Sequence, residues 1–395
     1  MATLGVSVFP DLRPMEEIER YLSIAAEHGF TRVFTSMFSM EGAPAEVLDC
    51  FARFNAAAHA YGMRVSLDIN PWCMDRLGAT PQDLKVFAGI DADILRMDGA
   101  YGEEDNLVML RNPYGMQIEY NASAMDPASI ERLVARGADL DRILACHNFY
   151  PQRYTGFSWE KFVATNERLK SLGIRIGAFI ASHAPGTHGV WDATCGLPTV
   201  ECLRDVPADL AARVLVAAGT TDVFFGNAYA SVAELEAVRD ALEPVVPHYV
   251  SKAHERSVQE MPAFLGHEIA LNVQKKVRVE PVYDLSDVER TILFDYFPHL
   301  DMGDSSEWIW RSRGARTFFQ DQAIVSRRYA LPQFARGDVV MVNDNYKHYA
   351  GEVQVVLAPI TNDGTRNLVG RIDAEEMKMF DVIRDEDVVV FLPAR

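Results

Sequence analysis

Residues 5–14, GVSVFPDLRP, decide the fold. The first half reads as a short apolar, β-branched strand and the second as a turn closed by prolines. A doubly wound dinucleotide-binding sheet would carry a glycine-rich phosphate loop of the G-x-G-x-x-G kind directly after its first strand, and VFPDLRP is nothing like it. A run with helical period, MEEIERYLSIAAEHG from Met15, comes next, and then a second strand. The same strand, turn and helix recur to about residue 243. The strand segments are GVSVF, RVFTSMF, RVSLDIN, ILRMDGA, MQIEYNAS, ILACHNFY, RIGAFIAS and DVFFGNAY, from Gly5, Arg32, Arg64, Ile94, Met116, Ile143, Arg175 and Asp222. Gly29, Gly62 and Gly173 sit where helices should end, and Ser158 and Ser231 where two should begin. Eight such units in roughly 240 residues match an α/β fold of the (β/α)8 TIM-barrel type, expected over residues 1–247.

Beyond that point the texture changes. HYVSKAHERSVQEMPAFLG, from His248, reads as a crossover segment. KKVRVEPVY, RTFFQDQ, DVVMVN, EVQVVLAPI, NLVGRI and DVVVFL then read as strands separated by turns, with NDG at 362–364 as one of them. A small, mostly β domain is expected over residues 265–395.

The net charge of −18 disfavours a nucleic-acid or anionic-membrane partner, because both are held by clustered Lys and Arg. The N-terminus lacks a basic then apolar leader, and no window approaches a membrane span, so a cytoplasmic protein is expected. Five cysteines without C-x-x-C spacing fit reduced thiols better than a disulfide frame or a zinc site.

In a TIM barrel the active site lies at the C-terminal strand ends, where side chains alternate between lumen and helix layer. Strand three ends with Asp68 and Asn70 on one face, strand four with Arg96 and Asp98, and strand five with Glu119 and Asn121. Strand six carries His147, Asn148 and Tyr150, strand seven ends at Ser182 and His183, and strand eight at Asn227. Arg153, Trp191 and Asp192 lie in loops. Three carboxylates on adjacent strands cannot all ionise freely, so one should hold a proton, and a protonated acid beside a carboxylate is the apparatus of glycoside hydrolysis. The plainer alternatives are an Arg96–Asp98 ion pair that only fills the lumen, and a hydrogen-bonded core role for His147. Asp68, Asp98, Glu119 and His147 could also supply mixed ligands to a divalent metal in a sugar-phosphate isomerase or lyase. No HxH or HxxxE spacing supports that reading. A sugar-binding protein without catalysis is the third. Lys85, Lys161 and Lys170 all lie in helical stretches, which disfavours a Schiff base.

LGVSVFP, LRMDGAYG, IEYNAS, CHNFYPQRYTGFS, GLPTVECLR and FGNAYAS together resemble the bacterial 6-phospho-N-acetylmuramidase family, and RGDVVMVNDNYKHYAGEVQVVL resembles its cyclophilin-like C-terminal domain. The resemblance implies a cytoplasmic exo-glycosidase acting in cell-wall recycling on a disaccharide of 6-phosphorylated N-acetylmuramic acid and N-acetylglucosamine. It implies no metal and no cofactor. Asp68, Asp98 and Glu119 would be the acid and its nucleophile or base. Arg96, Asn121, His147, Asn148 and Tyr150 would line the sugar site, and Glu201 would be a further acid on a loop that closes over substrate. Muramidase-type members carry an arginine directly after YP and another in an RGP segment ahead of GLPT. Here those places read Gln152 and His188 to Trp191, which leaves Arg153 as the cation for phosphate or lactyl carboxylate. The smaller domain is expected to cover the barrel mouth or to mediate a homodimer.

Overall fold

The computed structural model describes residues 2–37, 40–99 and 101–394. Phe38 and Ala100, the last residues of the expected second and fourth strands, lie outside the described residues. The chain divides into two units, Met1–Leu242 and Glu243–Arg395.

The first unit is a closed barrel of eight parallel strands in sequence order. These are β1 (Thr3–Ser7), β2 (Phe30–Ser36), β3 (Arg64–Ile69), β4 (Ile94–Met97), β5 (Gln117–Asn121), β6 (Ile143–Cys146), β7 (Arg175–Ile180) and β8 (Asp222–Phe225). The helices between them are α1 (Met15–Glu27), α2 (Pro44–Ala60), α3 (Pro71–Arg76), α4 (Lys85–Ala88), α5 (Glu103–Leu110), α6 (Pro127–Ala135), α7 (Trp159–Ser171), α8 (Ala208–Ala217) and α9 (Val232–Leu242). The α1 helix buries Ile18, Tyr21, Leu22 and Ala25, the i, i+3, i+4, i+7 stripe that its sequence dictates. Gly29, Gly62 and Gly173 take positive φ just past helix ends, where a Cβ would be strained.

Outward residues of the central strands, Leu67, Ile69, Leu95, Met97, Ile118 and Tyr120, are buried under the helices. The lumen is equally full. Phe9, Phe34, Cys146, Phe179 and Phe224 form one cluster, with Phe34 edge-on to Phe179 at 5.0 Å. Each such ring contributes about 1.5–3 kcal/mol by leaving water. Space for them is made at Gly5, where a Cβ would stand 2.3 Å from the Phe224 ring, and the barrel interior is therefore a packed core.

The second unit opens with α10 (Lys252–Leu265). Its strands are β9 (Gln274–Pro281), β10 (Ile309–Ser312), β11 (Gln333–Phe334), β12 (Asp338–Val342), β13 (Val353–Val356), β14 (Ile360–Thr361), β15 (Arg366–Arg371) and β16 (Val388–Pro393). Six of them form a sheet in the order β10-β13-β12-β15-β9-β16, and β11 pairs with β14. One expected strand is a helix instead. RTFFQDQ begins within a short helix, Ala315–Phe319, because its buried residues Ala315 and Phe319 are four apart, a helical and not a strand spacing. Among the described residues no helix is long and apolar enough to cross a membrane.

Candidate active site

The barrel lumen holds two arginine-centred networks. In the lower one Arg32, reaching in from β2, donates to Glu119 at 2.9 Å and to the Ser66 hydroxyl, and lies 3.6 Å from Asp222. Arg175 also pairs with Asp222. Glu119 is 1% exposed and Asp222 likewise, while the Arg175 side chain is half exposed.

The upper network is built on Arg96 of β4. Its Nη1 donates to Asp68 at 2.5 Å and lies 3.6 Å from Asp98, while its Nη2 donates to the Asn148 side chain. Asn121 donates to Asp98 at 2.8 Å. Asp68 is buried, but Asp98 is 36% exposed and opens on a cleft of about 410 Å³. Asn121, Tyr101, Met125, Ser129 and Arg132 also line this cleft, which runs toward α5 and α6. Burial pushes the Asp68 carboxyl up to about 7; Arg96 opposes the rise and Asp98 adds to it. One arginine facing two carboxylates leaves the cluster an excess negative charge, which a retained proton removes.

Asp68, Asn148, Arg96, Asp98 and Asn121 are thus brought together. Glu119 is not brought to the cleft; it lies buried, bound to Arg32. Asn70 caps α3, its side chain accepting from Cys73 N at 2.8 Å. His147 turns away from the lumen, buried against Phe157 and Phe162 with both ring nitrogens hydrogen-bonded. Asn227 is equally buried and ties Ser182 and Thr187 together. Tyr150 is half-buried and its amide donates to Pro198 O.

The loop after β6 is stapled to the loop after β7. Glu201 accepts the amides of Tyr154 and Gly156, each at 2.7 Å, and both Nε and Nη2 of Arg204. Arg204 foremost, then the two amides, hold the Glu201 carboxyl down at about 2. Arg153 lies outside this staple, forked onto exposed Asp205 at 2.6 and 2.8 Å. His183, Trp191 and Asp192 line a second cleft, of about 530 Å³, with Thr187 and His188. Asp192 is turned to the Thr194 amide at 2.9 Å. Arg13, from the loop after β1, donates to His188 at 3.2 Å.

Several contributors were not expected. In the sequence Arg32 marks only the start of a strand, and Ser123 only the end of a motif. Glu234 accepts from Ser231, from the Ser182 hydroxyl and from the His183 amide, and so fixes the end of β7. Its signal was present: Ser231 and Glu234 stand at capping-box spacing at the start of α9.

A filled barrel with a carboxylate pair at the C-terminal strand ends, one member of which, Asp98, opens on a sugar-sized cleft, has the form of a TIM-barrel glycosidase. Residues 4–240 match the N-terminal part and residues 275–391 the C-terminal part of the 6-phospho-N-acetylmuramidase family. The chain belongs to that family and is a glycosidase enzyme. It is similar to a solved, uncharacterized B. cereus protein, with 30% identity over 99% of both chains and a TM-score of 0.80. A conserved Enterococcus faecalis protein of unknown function shares the fold at 22% identity, with 99% of this chain and 96% of that one covered and a TM-score of 0.61. No curated protein matches the chain. Among the described residues no three His, Cys, Asp or Glu side chains converge to hold a metal ion.

Proposed function

We propose that the protein hydrolyses the glycosidic bond of 6-phospho-N-acetylmuramic acid joined to N-acetylglucosamine, in the cytoplasm, during recycling of cell-wall fragments. The convergence of Asp68 and Asp98 on one guanidinium, beneath the cleft that Asp98 lines, carries the reading. Asp68, holding its proton near neutral pH, donates it to the glycosidic oxygen as the bond to the anomeric carbon breaks. Asp98, aimed by Asn121 and standing beside Arg96, meets the cationic anomeric carbon, and water completes the hydrolysis. Both oxygens approach the same Arg96 nitrogen, at 2.5 and 3.6 Å. They therefore lie no farther apart than those lengths laid end to end, which puts both carboxylates beside one bond. The anomeric configuration of the product, read by NMR, assigns retention or inversion.

The cleft toward α5 and α6 carries Asp98, Glu103 and Asp126 against Arg132 alone, and Arg132 already pairs with Glu103. That balance suits the uncharged amino sugar. The anionic end is assigned to the cleft after β7, which His183 and His188 line and where Arg13 donates to His188. The test is incubation with the 6-phosphorylated and the unphosphorylated disaccharides, with products read by mass spectrometry. Cleavage of the phosphorylated form alone is expected, and cleavage of neither would overturn the assignment.

A further inference from the structure

Ser123 lies just past β5 and belongs to neither network, yet it touches both arms of the upper one. Valence sets the direction of each hydrogen bond around it. Asn166 donates its Nδ2 to Ala218 O at 3.0 Å, so its Oδ1 is the acceptor that faces His147 Nε2 at 2.9 Å. His147 therefore carries its proton on Nε2, and Nδ1 is left as an acceptor. The Ser123 hydroxyl donates to Nδ1 across 3.1 Å, and the same oxygen accepts the Asn148 amide at 3.1 Å. Burial, aided by the charge of Arg96, holds the imidazole down at about 4 against the opposing bond to Asn166, so the chain keeps its direction at neutral pH.

Two arms leave Ser123. Its amide donates to Asn121 Oδ1 at 3.0 Å, which turns the other end of that amide toward Asp98. Its hydroxyl fixes the Asn148 backbone, and the Asn148 side chain accepts from Arg96, which holds Asp68. A serine, histidine and asparagine in line also resemble a nucleophile and its base. The geometry opposes that use: the imidazole is fully buried against Phe157 and Phe162, with both ring nitrogens already hydrogen-bonded.

We infer that Ser123 is a positioning residue that couples the two carboxylates, its main-chain amide aiming Asp98 through Asn121 and its hydroxyl setting Asp68 through Asn148 and Arg96. Ser123→Ala therefore removes the second arm alone. The inference rests on the glycosidase reading. Nitrogen-15 NMR of the histidine rings in the full-length protein should show His147 as the Nε2–H tautomer, without titration through neutral pH. Ser123→Ala should lower kcat roughly a hundredfold with KM little changed, since small misplacements of reacting groups cost that much. It should also displace the basic limb of the pH profile, because Arg96, Asp98 and Glu119 are the charged groups around Asp68. Ser123→Thr, which keeps the hydroxyl, should restore both. An Nδ1–H tautomer, an unchanged kcat and pH profile in Ser123→Ala, or labelling of Ser123 by a fluorophosphonate would each overturn the inference. If Ser123→Ala does not fold, the NMR of the unaltered protein and the kinetics of Ser123→Thr still decide it. A protein that cleaves no glycoside removes the glycosidase reading, while the tautomer separately decides the hydrogen-bond direction.

Discussion

Arg32 and Arg96 are two versions of one construction. Each projects into the lumen, each meets two carboxylates, and each lies over a phenylalanine, Arg32 over Phe224 at 4.9 Å and Arg96 over Phe34 at 5.9 Å. They differ in what surrounds the charge. The lower network adds Arg175, so two cations balance Glu119 and Asp222. The upper network has one cation for two carboxylates, and a cleft in place of a lid. The same residue types are therefore compensated in charge at one level and left with an excess negative charge at the other. Charge balance and exposure, more than residue identity, distinguish the two levels.

The comparison breaks most visibly under substitution. Asp98→Asn and Asp68→Asn are each expected to lower turnover by about 10²–10⁴-fold with the fold kept, measured on the phosphorylated disaccharide. Glu119→Gln should do the reverse. It leaves Arg32 buried with a lost partner, at a cost of about 3–5 kcal/mol in denaturant unfolding, while turnover per folded molecule is retained. Equal losses of activity in all three would erase the distinction between the levels.

A pH series sharpens it. The basic limb of kcat/KM should fall as pH rises through about 7, where Asp68 loses its proton. Because the folded protein holds that proton more tightly than the unfolded chain, the Asp68 contribution to stability should decline from the ordinary carboxylate range up to about 7 and then level off. Glu201 acts in the opposite sense. Its folded value of about 2 lies below the unfolded one, so its contribution is present above the ordinary glutamate range and is lost on acidification. Melting temperature against pH, compared with Asp68→Asn and Glu201→Gln, separates the two. The smallest effect is expected at Arg153→Ala, whose exposed pair with Asp205 should leave melting temperature and turnover unchanged within error.

The barrel was legible because its two periods are written repeatedly, the two-residue alternation of strands and the stripe of helices such as α1. Alternation also places Asp68, Arg96, Asp98 and Asn121 inward. It would have placed His147 outward as well, since β6 ends at Cys146 and the inward set there is Cys146 and Asn148. Depth was not legible. Glu119 is in register with Arg96, and Arg96 with Asp68, yet tilt and stagger carry hydrogen-bonded neighbours to different heights in a closed barrel. No single strand encodes that stagger, so a row of three carboxylates read as one site when the structure divides it. In the second unit RTFFQDQ misled because a short run of aromatic and β-branched residues carries too few positions to separate the two periods.

Glu201 has a consequence for how such a protein can change. Its carboxylate sits on one loop and its seat, the Tyr154 and Gly156 amides, on another, and a Cβ at position 156 would come within 2.5 Å of it. The loops after β6 and β7 are thus a single inheritable part. Transplanting one into a relative without the other would leave either a charge with no socket or a socket with no charge, so new specificity at this rim has to arrive as a matched pair.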